Sequence, residues 1–548
     1  MARRTWLAVV AAVCLAAASF GLTSCSKTPA EQIEYAVEGP LTTYNPNSVV
    51  GAASAAPQAF ARVLTGFGYH GPNGQIVADH DFGTVSVVGR EPLLLDYTIA
   101  DNAVYSDGKP ITCDDMVLAW AAQSGRLPGF DAATHAGYAD IDSVDCTPGQ
   151  KKARVTFTAG RSFVDYSQLF TATTMMPSHV LADLLGVDVT SALQNNEAPV
   201  VARIADAWNS MWDLKPGINP RWFPSSGPYK IDSVRSDGSV VLVTNDRWWA
   251  TKPVTKRIVV WPRAAGTVQQ RLKDGSVDVV DMAAGSVGGL NVPGGYESSD
   301  SPSAGIEQLI FSRQGPLAAP AARRALAQCT PRDSIARDAG TQVANVRLST
   351  VSDDAFSAAE SAAANNQYMT ANATAAKGTL NNAPLTVRIG YQGPNARLAS
   401  AVSAIAKACA PAGITVQDVA SDSTGPQALT GNQIDALLAG TGGATGGGSS
   451  GSSAIDGYDL HTGNGNNLAG YSNPQIDGII DNLAVTSDAK DIAKLLGDST
   501  GPLWNDMPTL PLYRQQRTLI TSKKMSAATS NPTRWGAGWN MDRWVLRE

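Results

Sequence analysis

The chain has 548 residues, 43% of them hydrophobic, with 48 acidic against 42 basic side chains and a formal charge of −6. That length exceeds what one hydrophobic core holds, so two or three domains are expected. The acidic balance, with no basic run beyond pairs such as Lys151-Lys152 and Lys523-Lys524, excludes a nucleic acid binder, because neutralising phosphates takes clustered Lys and Arg.

The first predicted element is a leader. Arg3 and Arg4 form a basic start, Leu7 to Leu22 is apolar and uncharged, and Leu22-Thr23-Ser24-Cys25 closes it as a lipobox. The apolar stretch falls short of the roughly 20 residues a spanning helix needs. Residues 1–24 are therefore expected to be removed as a lipoprotein signal peptide, leaving Cys25 acylated as the first residue. Loss of Arg3 and Arg4 takes the formal charge from −6 to −8. With no other long apolar stretch, the body is expected to touch the membrane through its lipid anchor only.

Further along, Asp114 to Gln123 reads as a helix, and Arg154 to Thr158 and Gly238 to Thr244 read as strands. Leu385, Val387 and Ile389 alternate with polar residues as a strand. Leu398, Val402, Ile405 and Cys409 then recur at helical spacing, and Gly413 to Val416 is a second strand. Strand, helix and strand in so short a span form a βαβ unit, so the fold class is α/β. Residues 351–380 and 439–453 are low in complexity and read as loose. Within the second, Gly446, Gly448 and Gly451 match GxGxxG, and Gly447 to Gly451 matches GxSxG. Neither has the strand before and helix after that would make it a dinucleotide site or a nucleophile elbow.

Past Cys25, four cysteines remain: Cys113, Cys146, Cys329 and Cys409. An even number in an exported chain suggests two disulfides. Of three possible pairings, Cys113 with Cys146 and Cys329 with Cys409 is preferred, since each pair then lies within one candidate domain. No CxxC spacing or His pair supports a metal site, no Ser, His and Asp set supports an enzyme, and no cofactor is indicated.

Tyr105-Ser106-Asp107-Gly108-Lys109-Pro110-Ile111-Thr112-Cys113-Asp114-Asp115-Met116 is a tight turn followed by a capped helix. The string resembles the signature of the family 5 solute-binding proteins, the peptide and nickel receptors of ABC importers, with Tyr105 for the usual Trp and Cys113 for the usual Ala. Further blocks resemble the family in its order: Leu41 to Pro46, Met176 to Val180, Ser226 to Lys230, Asn245 to Trp249, Leu272 to Val279, Arg323 to Ala327, Tyr471 to Asp477 and Pro508 to Tyr513.

The resemblance implies a periplasmic binding protein-like type II fold of cluster C: two lobes joined by a hinge, with an extra inserted domain. Lobe I is expected from residues 25–65, 200–305 and 513–548, the extra domain from 66–199, and lobe II from 306–512. Cleft residues implied by position are Tyr44, Asn45, Ser226, Gly227 and Trp535. Peptide-binding members hold the ligand amine with an Asp after the strand that here carries Ile434 to Leu438. This chain has the Gly-rich run there, and Asp456 and Asp459, flanking Tyr458, are the nearest replacements. The implied function is a monomeric, lipid-anchored receptor on the extracytoplasmic face of the cell membrane, passing a peptide or small polar solute to an ABC permease. The alternative is a non-transport interaction module that regulates or scaffolds cell-envelope biosynthesis.

Overall fold

The computed structural model describes residues 31–352 and 354–547. The signal peptide and Cys25 lie outside the described residues. The strands, in chain order, are β1 (Gln32–Val37), β2 (Gly68–His70), β3 (Ile76–Ala78), β4 (Gly83–Arg90), β5 (Leu93–Ile99), β6 (Ile141–Asp145), β7 (Lys152–Phe157), β8 (Tyr229–Val234), β9 (Val240–Thr244), β10 (Arg257–Trp261), β11 (Val279–Ala283), β12 (Tyr296–Phe311), β13 (Leu385–Gly390), β14 (Ile414–Asp418), β15 (Ala436–Gly440) and β16 (Thr509–Ser522).

Ten of them form one mixed sheet in the order β14-β13-β15-β12-β16-β11-β1-β10-β9-β8. The two longest strands, β12 and β16, sit side by side at its centre and divide it. Their first pairing block, Tyr296–Pro302 against Ser522–Gln516, adjoins β11 and the strands of one lobe. Their second, from Ile306 against Arg514 to Ile310 against Thr509, adjoins β15 and the strands of the other. A register break separates the blocks between Pro302 and Ile306, and such a bulge bends a strand. The freed amides there are taken up from both sides: Ala304 donates to the Pro532 carbonyl at 2.7 Å and Gly305 to that of Thr350 at 3.2 Å.

The predicted βαβ unit is present. Strands β13 and β14 pair in parallel, and the helix Ala396–Cys409 between them buries Leu398, Val402, Ile405 and Cys409. Its N-cap is Asn395, whose side chain accepts from the Leu398 amide at 3.1 Å. Cys409 bridges to Cys329 on the helix Pro320–Cys329, and Cys113 to Cys146, with Cα separations of 4.9 and 5.7 Å.

A separate antiparallel sheet, β4-β5-β7-β6, and the hairpin β2-β3 fall within residues 66–199. There the predicted turn and capped helix Cys113–Gln123 are found. Asp115 accepts from the Thr112 amide at 3.3 Å and from the Ser178 amide and hydroxyl at 2.8 and 2.7 Å, and His179 contacts Asp107 at 2.9 Å. Two sequence blocks of the family resemblance thus hold each other. The helix Ala198–Ser210 runs through the expected 199/200 boundary without a break.

The interlobe cavity and its glycine ribbon

Around the central strand pair, several charged side chains are buried and hydrogen-bonded. The Glu38 carboxylate, just past β1, accepts from the Ala283 amide and Ser286 hydroxyl of its own lobe, each at 2.6 Å, and from the Asn395 side chain of the other lobe at 2.7 Å. Burial raises its carboxyl. Arg397, two residues after Asn395 in the first turn of the helix Ala396–Cys409, donates through Nη1 to Glu307 and to the Tyr513 hydroxyl. Closer to β11, Arg517 bonds Asp281 at 2.6 Å, and Asp281 also accepts from Gln58 at 2.8 Å and the Ala537 amide at 2.6 Å. Each of these buried charges has a polar partner, without which burial would be strongly unfavourable.

The Gly-rich run follows β15 into the interlobe space. It is packed, contrary to the loose stretch expected: Ser449 and Ser450 are 0% and 1% exposed. Residues without side chains are what allow this. A Cβ at Gly446 would lie 2.8 Å from Glu38 Oε2, and one at Gly447, whose φ is 137°, 2.7 Å from Arg517 Nη2. A Cβ at Gly448 would overlap the Thr441 carbonyl oxygen at 1.9 Å. The ribbon is tied to its surroundings by the Arg534 amide, which donates to the Ser449 carbonyl at 2.9 Å, and by the Ser452 hydroxyl on Asp165.

Beside the ribbon is a cavity of about 670 Å³, within the roughly 300–1,000 Å³ typical of ligand sites. It is walled by the β2–β3 turn, the β12 bulge, residues 340–342 and 351–352, Gly451, Arg514 to Gln516, and Pro532 and Thr533. The wall thus combines the β2–β3 turn with segments of and between β12 and β16 and with residues near the chain's end.

The residues expected in the cleft divide. Tyr44 is enclosed by Phe60 and Phe223 with its hydroxyl on the Pro224 carbonyl, and Asn45 bonds the Trp208 carbonyl; both build the core of the first lobe. Ser226 accepts from the Thr65 amide, and a Cβ at Gly227 would meet the Arg62 carbonyl at 2.5 Å. The close approach at Gly227 is to backbone, so these four are absent from the cavity lining. Tyr458 stacks on His461 and donates to Asp481.

Asp456, Asp459 and Trp535 do lie by the ribbon. Asp456 accepts from the Ser449 hydroxyl and Ser450 amide at 2.7 and 2.9 Å, and Asp459 from the Gly442 amide at 2.8 Å. Burial foremost, and Asp456 beside it, push the Asp459 carboxyl far up. Trp535 stacks on His70 at 3.7 Å and donates to Thr173. The two acids thus fasten the ribbon from within. The residues missed were Arg397, Arg514, Gln515 and Gln516. The available signal for Arg397 was its place just after β13, since open parallel sheets bind ligands beyond the carboxyl ends of their strands.

Two lobes sharing a pair of central strands, with a cavity beside their bulge, define a two-lobed binding-protein fold. The chain belongs to the bacterial extracellular solute-binding proteins, family 5, which it matches over residues 91–459. It is 64% identical to an uncharacterised lipoprotein of Mycobacterium tuberculosis across 98% of this chain and 97% of that one. Among solved structures it resembles a periplasmic EDTA-binding protein, EppA, with a TM-score of 0.75 and 19% identity over 97% of this chain and all of the other. The oligopeptide-binding protein AppA of Bacillus subtilis, solved with a nonapeptide, gives a TM-score of 0.74 and 16% identity over 95% and 100%. No helix among the described residues is long and apolar enough to cross a membrane.

Proposed function

We propose that the protein is a lipid-anchored receptor of an ABC importer. Cys25 carries the lipid at the extracytoplasmic face, and a peptide or small polar solute is captured between lobe I (25–65, 200–305, 513–548) and lobe II (306–512), with 66–199 as the extra domain. The carrying observation is the 670 Å³ cavity beside the bulge where β12 pairs with β16, lined from both lobes. A bent strand pair between two packed bodies is suited to hinge closure, in which ligand selects the shut state. The protein acts as a monomer and performs binding, not catalysis. Family membership and the lipoprotein relative support the reading.

The test is thermal unfolding and native mass spectrometry of the chain from Ser26 onward, against mixed peptides and small polar solutes. A ligand at a hundred times its Kd stabilises by about 2.7 kcal/mol, which the melting curve resolves. Silence across every solute class would refute the receptor. Cys25→Ala is expected to move the protein from the membrane to the soluble fraction of cells. A second reading, a non-transport module serving cell-envelope biosynthesis, draws on the glycine ribbon, which occupies part of the interlobe space with the chain itself.

A further inference from the structure

The cavity has a one-sided chemistry. Among the described residues its wall offers hydroxyls, the carboxamides of Asn73, Gln75, Gln342, Gln515 and Gln516, the Arg514 side chain, and no carboxylate. A ligand ammonium desolvated there would meet no counter-charge among the described lining residues, whereas an oxyanion would meet hydrogen-bond donors.

At one end, Thr341, Arg514, Gln515 and Gln516 also wall a compartment of about 10 Å³ that contains Arg397. The Arg397 side chain is 7% exposed. Only its Nη1 is engaged, by Glu307 and Tyr513. Nε and Nη2, which form the other edge of the planar group with parallel N–H bonds, are buried without a partner, as is the Gln515 side-chain oxygen. That edge matches the two oxygens of a carboxylate, a pairing a lysine cannot reproduce.

Two buried acids face the guanidinium. Glu307 is committed to Nη1, and Glu38 is held by Ala283, Ser286 and Asn395. Neither occupies the open edge. Gln515 and Gln516 line both the compartment and the cavity, so a ligand group reaching Arg397 from the cavity would have to displace them.

We propose that the open edge of Arg397 seats a carboxylate or similar planar oxyanion of the captured solute, so that the ligand class is anionic and rich in hydrogen-bonding groups, not ammonium-anchored. This assignment rests on the receptor reading above. Calorimetric titration of the chain from Ser26 onward, with a panel of acids each paired with its own primary amide, N-acetyl-trialanine and N-acetyl-trialanine amide among them, tests it.

The acid of a binding pair is expected to bind about tenfold or more tighter than its amide. Arg397→Lys, which keeps a charge for Glu307 but not the double N–H edge, is expected to erase that preference. An amide that binds as tightly as its acid in the wild-type protein overturns the assignment while leaving the receptor standing. So does a free-amine peptide that binds with a blocked carboxylate. Failure of every pair to bind removes receptor and assignment together. The wild-type comparison decides even where Arg397→Lys folds poorly.

Discussion

Residues 351–380 and 439–453 have similar low-complexity sequences and are ordered by opposite means. The first is built around one side chain. Of its helices Ala355–Ala363 and Ala373–Thr379, the first carries Glu360, which is 3% exposed and accepts from the amides of Arg347, Leu348 and Ser349. Tyr368 anchors the turn between them by stacking on Trp504 at 5.7 Å. The second is built on the lack of side chains, with glycines letting the ribbon lie against Glu38, Arg517 and the Thr441 carbonyl. Composition alone reads both as loose, because it registers neither a buried acceptor reaching three amides nor a gap that only bare backbone fills.

The contrast predicts which substitution each segment tolerates. The largest effect is expected from Glu360→Ala, which strands buried amides and the facing charge of Arg347 and should cost roughly 3–5 kcal/mol in chemical unfolding. An unchanged midpoint would show that the helices hold without it. Next is Gly448→Ala, at about 3 kcal/mol, because its Cβ must displace a carbonyl oxygen. The same change should speed amide hydrogen exchange along the ribbon and leave the helices of the other segment protected.

A third effect depends on pH. Burial foremost lowers the His70 imidazole to about 3 where it packs on Trp535 beside Gly451. The unfolded chain takes up this proton near 6.5 while the folded chain does not, so the contribution is complete above that pH. It is lost on acidification at about 1.4 kcal/mol per pH unit until about 3. Comparing urea unfolding of wild type and His70→Gln at pH 7 and pH 5 should show this slope only in the wild type. The smallest effect is Ala358→Gly on the exposed face of the first helix, about 1 kcal/mol from helix propensity alone. A much larger loss there would mean that this helix too is held by close packing.

Much of the fold was readable before the structure. The helix at Cys113–Gln123 and the β13–helix–β14 unit depend on capping and periodicity within a few residues. Both disulfides join the cysteines paired by assuming that bridges stay within a domain. The site was less legible. Tyr44, Asn45, Ser226 and Gly227 follow a pattern of residue types, yet their partners are Phe60, Trp208, Thr65 and Arg62, all in the core. Such a pattern does not distinguish a polar group facing a ligand from one facing a backbone carbonyl.

The sequence by itself determined the family, the α/β class, the lipobox at Cys25 and the local turns and caps, since these rest on motifs or on forces between near neighbours. Only the tertiary structure decided that the glycine run lies between the lobes and that Arg397, Glu307 and Tyr513 meet. Those partners are 90 and 116 residues from Arg397. The pairing of Glu307 on β12 with Tyr513 on β16 brings them together, so the surroundings of the Arg397 guanidinium exist only once the central strands and the helix Ala396–Cys409 have packed.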